Sequence, residues 1–161
     1  MICAFTGHRP QRLPWGSNEL DERCLALKHM LTNAVEEALQ RGFTTFLCGM
    51  AQGCDTYFAE AVLSHKEHHP QVELIAMIPC PEQPDRWHAA DRQRYETILA
   101  KCTAVEVLSP HYDEECMLRR NRAMVERAEL LISVYDGSGG GTGQTVRLAR
   151  ENGMEILPIW L

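Results

Sequence analysis

Short apolar runs alternate along the chain with longer stretches in which apolar residues recur every three or four positions. "ICAFT" (2–6), "TTFLC" (44–48), "VELIAMI" (72–78), "AVEVL" (104–108), "ELLISVY" (129–135) and "EILPIW" (155–160) have the length and composition of strands. After the first run, Leu27, Leu31, Val35, Ala38 and Leu39 recur at helical steps, and after the second so do Tyr57, Phe58, Ala61 and Val62. Further helical segments at 85–101, 114–128 and 143–152 separate the later runs. Such alternation predicts parallel strands joined by right-handed crossovers and covered on both faces, which is why the strands are nearly continuous apolar runs. The expected fold is α/β, a three-layer α/β/α Rossmann-like sandwich with a mostly parallel sheet. No repeat, low-complexity tract or linker interrupts residues 1–161, so one domain is predicted, and the Pro-containing stretches 9–14 and 79–84 are expected to be loops at strand ends.

Composition narrows the function. A formal net charge of -6 argues against non-specific coating of nucleic acid, which needs a basic face, although Arg119, Arg120 and Arg122 form a local basic cluster. The seven cysteines are odd in number, dispersed and without a CxxC pair, so they are expected to be reduced thiols, with neither a zinc site nor a redox centre. "MICAFTGHRP" lacks the basic start and apolar stretch of a signal peptide, and nowhere do about 18 apolar residues run together as a membrane-spanning helix requires. A cytoplasmic protein is expected. "HKEHH" (65–69) brings histidines to helical spacing, but no cysteine or carboxylate completes a set and no metal site is predicted.

In a fold of this kind the crevice at the carboxyl ends of the strands is where backbone N–H groups and helix N-termini face an anion. Three segments arrive there: "TGHRP" after the first strand, "CGMAQGCD" (48–55) after the second and "DGSGGGTGQT" (136–145) after the fifth. Each could bring backbone donors to a phosphate, since glycine, lacking Cβ, lets the chain approach a ligand closely. The alternative is that these glycines only make tight turns. None of the segments is a dinucleotide fingerprint, and no Lys-Ser or Lys-Thr follows as a P-loop requires, so neither a dehydrogenase nor a P-loop NTPase is expected.

Taken in order, "TGHRP", "CGMAQGCD" and "RRNRAMVERAELLISVYDGSGGGTGQT" resemble the YpsA-like family of the SLOG superfamily, which also holds the DNA-processing protein DprA and the LOG phosphoribohydrolases. The resemblance covers almost the whole chain. It implies a Rossmann-like domain that binds a nucleotide or nucleotide-derived ligand, its phosphate near the glycine-rich loop, as a sensor or regulatory domain. The LOG motif carries an Arg-Lys pair and PGGxGTxxE; here the arginine falls on Arg120 and the lysine on Asn121, and the glutamate has no counterpart. Whether the chain is an enzyme is left open, Asp55 and Asp136 being the carboxylates that could stand in. The single-stranded DNA binding of DprA rests on a basic surface, so extended nucleic acid is not expected here. A homodimer is expected only by analogy with relatives.

The ligand-binding candidates are Gly7, His8, Arg9, Gly49, Gly53, Asp55, Trp87, Arg120, Asn121, Arg122, Gly139, Gly140, Gly141 and Thr142. His8 and Arg9 are read as anion binders, or as a capped loop with the arginine paired to a surface carboxylate. Arg120 and Arg122 contact an anion, or belong to a solvated helix face with pairs such as Arg122 to Glu126. Asn121 holds a loop or a ribose. Asp55 caps the second helix or contacts a ribose hydroxyl. Trp87 lies over a base or packs on the sheet. Two further readings remain: a hydrolase acting on an N-glycosidic or phosphate bond, and a protein-interaction module with a vestigial pocket.

Overall fold

The computed structural model describes all 161 residues. Its strands are β1 (Ile2–Gly7), β2 (Thr45–Cys48), β3 (Glu73–Ile78), β4 (Ala104–Val107), β5 (Leu130–Tyr135) and β6 (Glu155–Trp160). The helices are α1 (Glu22–Gln40), α2 (Cys54–Lys66), α3 (Ala89–Lys101), α4 (Cys116–Arg127) and α5 (Gly141–Glu151). All strands pair in parallel in one sheet of order β4-β3-β2-β1-β5-β6. The chain steps outward from β1 to β4, then returns through α4 to lay β5 on the other side of β1. The direction of winding therefore reverses between β1 and β5.

Side chains alternate across the sheet and split the core in two. Cys3 and Phe5 of β1, with Phe46, Leu74 and Ile132, pack under Leu27, Leu31, Val35, Phe58 and Ile98 of α1, α2 and α3. On the opposite face Ala4, Leu47, Ile75, Met77 and Leu131 meet Met124, Val146 and Ala149 of α4 and α5. Phe58 stacks on Phe5 with ring centroids 4.4 Å apart. That contact sets α2 against β1 and delivers its N-terminus to the strand end.

Three helix starts differ from the expected ones, α4 beginning at Cys116 rather than 114 after a turn in which Glu115 N–H donates to Asp113 Oδ1. Residues 79–88 form a turn-rich loop, with Asp85 N–H donating to Glu82 O and Trp87 N–H to Pro84 O, so α3 begins at Ala89 rather than 85. Conversely, α5 begins inside the glycine run at Gly141, because Gly140 turns the chain at φ +110°, a conformation open to glycine. The expectation of strands covered on both faces fails at β4, where all four residues are exposed and Val105 and Val107 face solvent. An edge position explains this: Glu106 of the same strand pairs with Arg127 on the surface. All seven cysteines are free, and burial pushes the Cys80 and Cys102 thiols up to about 11, so they stay protonated at neutral pH. No helix is long and apolar enough to cross a membrane.

Candidate functional site

The reversal between β1 and β5 leaves a crevice at their carboxyl ends, since the crossovers leave in opposite directions. Beyond β1 the chain runs through His8 and Arg9 into a short 3-10 turn, Pro10–Arg12. The N-termini of α2 and α5 and the inner side of α4 close the remaining walls. The result is a cleft of about 390 Å³ lined by Thr6, Gly7, His8, Arg9, Gln11, Arg12, Asp55, Met117, Arg120, Asn121 and Gly140–Thr142, among others.

The α5 end of the cleft is electropositive. Gln144 N–H makes the first turn bond, to Gly140 O, so the preceding N–H groups have no helical carbonyl to bond. An ideal Cβ on Gly141 would meet nothing within 4 Å. The exposed guanidinium groups of Arg9 and Arg12 stand at the rim. Arg12 Nη1 donates to Ser138 Oγ at 2.7 Å, and Ser138 donates through its hydroxyl and its N–H to Asp136 Oδ1. His8 Nε2 lies 2.9 Å from the same oxygen. This chain of contacts ties the glycine-rich loop to the end of β1. The Ser138 hydroxyl, its N–H and His8 together hold the Asp136 carboxyl well below the usual carboxylate range.

The opposite wall carries a buried carboxylate. Asp55 is 7% exposed; its Oδ2 accepts from Ala51 N–H at 3.0 Å, and its other oxygen has no protein partner. Asp55 thus braces the loop before α2 rather than that helix's own first turn, whose N-cap is Gly53. Burial raises its pKa, opposed by Arg120, by the Ala51 N–H and by Arg9.

Arg120 is occupied mainly by the protein itself. Its Nη1 donates to the carbonyls of Gly49 (2.6 Å) and Met77 (3.3 Å), and its Nε donates to Asn121 Oδ1 (2.8 Å). Only Nη2, touching the Met117 sulfur, is left toward the cleft. Burial lowers its pKa, offset in part by Asp55. A Cβ at Gly49 would run into this guanidinium, which gives the glycine a packing reason. Asn121, 9% exposed, orients Arg120 from one side and lines the cleft with the other.

Of the candidates, Gly7, His8, Arg9, Asp55, Arg120, Asn121, Gly140, Gly141 and Thr142 share the cleft. Five do not line it. Gly49 and Gly53 lie behind its wall, Gly53 with φ +82° against the His8 carbonyl. Gly139 is exposed on the loop. Arg122 faces outward from α4 beside Leu118 and Glu126, without an ion pair, because its position on the helix is turned away from Arg120. Trp87 sits in an adjoining chamber of about 940 Å³, which shares Arg9, Gln11, Ala51 and Met117 with the cleft; its ring meets Tyr95 edge-on at 5.2 Å. His65 bonds Ala61 O at 2.8 Å and faces Glu36. Arg12 was not legible as a site residue. Its signal was the three-residue spacing from Arg9 across Pro10, which a 3-10 turn places on one side.

Fold and site together define a Rossmann-like α/β protein with a polar crevice at its topological switch point. The family model described as the YspA SLOG family matches residues 3–153, and the chain belongs to that YpsA family. It is 27% identical over 154 residues to a UPF0398 protein of Bacillus pumilus, covering 94% of this chain and 82% of that one. A Bacillus licheniformis UPF0398 protein is 28% identical over 138 residues, 84% of this chain and 74% of the relative. Among solved structures it is similar to DNA processing protein A of Helicobacter pylori, described by its single-stranded DNA binding mode (TM-score 0.67, 17% identity, 98% of this chain). It is also similar to DprA of Streptococcus pneumoniae (TM-score 0.63, 15% identity, 98% of this chain). The chain spans 64% and 49% of those two proteins. At such identity these likenesses establish the fold.

Proposed function

We propose that this protein binds a nucleotide or nucleotide-derived small molecule in the β1/β5 cleft and serves as a sensor or regulatory domain in the cytoplasm. The observation that carries the reading is the opposition of two complementary ends in one crevice: free N–H groups of α5, and the unpartnered oxygen of buried Asp55. A phosphate meets the first with the Thr142 hydroxyl beside it, and a ribose hydroxyl donates to the second. The base extends past Arg9 and Gln11 into the chamber beside Trp87. The two volumes fall in the range of small-molecule sites. The free, mostly buried thiols fit a reducing compartment.

A thermal-shift screen against mononucleotides, ADP-ribose, NAD and dinucleotides tests this, repeated with Arg12→Ala. A ligand at 100 times its Kd adds about 2.7 kcal/mol of stability. A shift reduced in Arg12→Ala supports the cleft; no shift with any compound overturns the reading in favour of a protein-interaction module. The exposed rim arginines Arg9 and Arg12 favour, as a second reading, a short single strand of nucleic acid, which the net charge of -6 weighs against for a long one. Oligothymidylates of increasing length in the same screen separate the two: a stabilisation that grows with length belongs to a strand, and one saturating at a mononucleotide to a small ligand.

A further inference from the structure

We propose that His8 is a general base, positioned by Asp136, that activates water to hydrolyse a phosphoanhydride bond of the ligand. The proposal rests on the reading that a nucleotide-derived molecule occupies the cleft.

His8 is 2% exposed yet lines the cleft. Its Nε2 lies 2.9 Å from Asp136 Oδ1 and 3.2 Å from the Asp136 backbone nitrogen. One ring nitrogen cannot donate to the first and accept from the second. The carboxylate, anionic and nearer, selects the tautomer with hydrogen on Nε2, because a bare lone pair facing it at this distance is repelled. That choice leaves Nδ1 as the unprotonated nitrogen. Nδ1 makes no hydrogen bond within the protein, and the His8 side chain that carries it lines the cleft. A base held by a third group and aimed at a ligand space is the arrangement that general-base catalysis requires.

The bond follows from what surrounds this base. His8 and the α5 N-terminus line the same cleft with Arg9 and Arg12, so the electrophile that this base faces is phosphorus. Nδ1 takes a proton from water as the water oxygen bonds to phosphorus. The bridging P–O bond breaks with its electron pair on the departing phosphate, and the imidazolium releases its proton to solvent. The one buried carboxylate of the cleft, Asp55, bonds the Ala51 N–H through Oδ2. A phosphate leaves as an anion and needs no general acid, which a sugar alkoxide does, so a phosphoanhydride is the bond that this single base can cleave.

The test uses the full chain with ADP-ribose and ADP, with and without added magnesium. Calorimetry follows binding and phosphorus NMR follows the products. Expected are binding and slow turnover by the wild type, and at least a 100-fold loss of kcat with binding still seen by calorimetry in His8→Gln, whose amide still donates to Asp136 but offers no base. Asp136→Asn, a positioning variant, is expected to lower kcat by a larger factor than it raises KM. Binding without product in the wild type, wild-type turnover in His8→Gln, or loss of binding together with turnover in either variant overturns the dyad. Absence of binding by the wild type refutes the ligand reading itself.

Discussion

Arg120→Met tests the claim that this arginine is a structural bolt before it is a ligand contact. The substitution removes the Arg120 donors to Gly49 O, Met77 O and Asn121 Oδ1 beside a side chain 4% exposed; Gly49 O keeps Gln83 Nε2 at 3.2 Å, so two acceptors lose their donor outright. Leaving a buried acceptor unpaired costs about 1–3 kcal/mol each. Removing a buried charge returns part of that, because its desolvation penalty of several kcal/mol disappears. The net expected loss is about 2 kcal/mol, a fall in Tm of about 4–8 °C for a chain of this size. Urea denaturation followed by circular dichroism, with an unchanged m-value, measures it. Arg120→Lys should fall between the two, since one ammonium group cannot reach all three acceptors in the fixed fork. A loss under about 1 kcal/mol in Arg120→Met would refute the bolt, and with it the packing reason given for Gly49.

Other perturbations separate binding from folding. Gly141→Glu places a carboxylate in open space at the α5 N-terminus, where a negative charge is favourable by about 0.3–1 kcal/mol; Tm should hold or rise while nucleotide binding falls more than tenfold. Gly140→Ala, by contrast, forces a side chain to φ +110° with its Cβ 3.0 Å from Arg12 Nη2, so stability should drop by about 1–2 kcal/mol. Asp55→Asn concerns pH. A carboxyl raised by burial is more easily protonated folded than unfolded, so its ionisation detracts from stability as pH climbs above the ordinary 3.8 through the raised folded value. The asparagine variant should therefore gain stability at pH 7, and the gain should vanish below that ordinary value; urea midpoints across pH measure it. Asp136 has the opposite sign: its depressed pKa contributes stability present above its unfolded value and lost as pH falls toward the folded one, a loss that Asp136→Asn should remove.

The sequence by itself determined the order and kind of every strand and helix, because each is a local match between apolar period and the face it buries. It also located the three loops, since glycine and proline act within a few residues of their own position. The crevice address followed from fold class alone. Tertiary structure decided what each side chain does there. Arg120 and Arg122 are two residues apart in one basic run, yet helix rotation sends one into the core and the other into solvent. The carbonyl partners of Arg120 lie 43 and 71 residues away, and no local pattern encodes such a meeting. Asp136 and His8, 128 residues apart, meet because β5 pairs with β1 after a return crossover. The same crossover brings Arg12 to Ser138. Periodicity reports which face of an element is buried; which elements become neighbours depends on strand order, fixed only when the whole sheet closes its two cores.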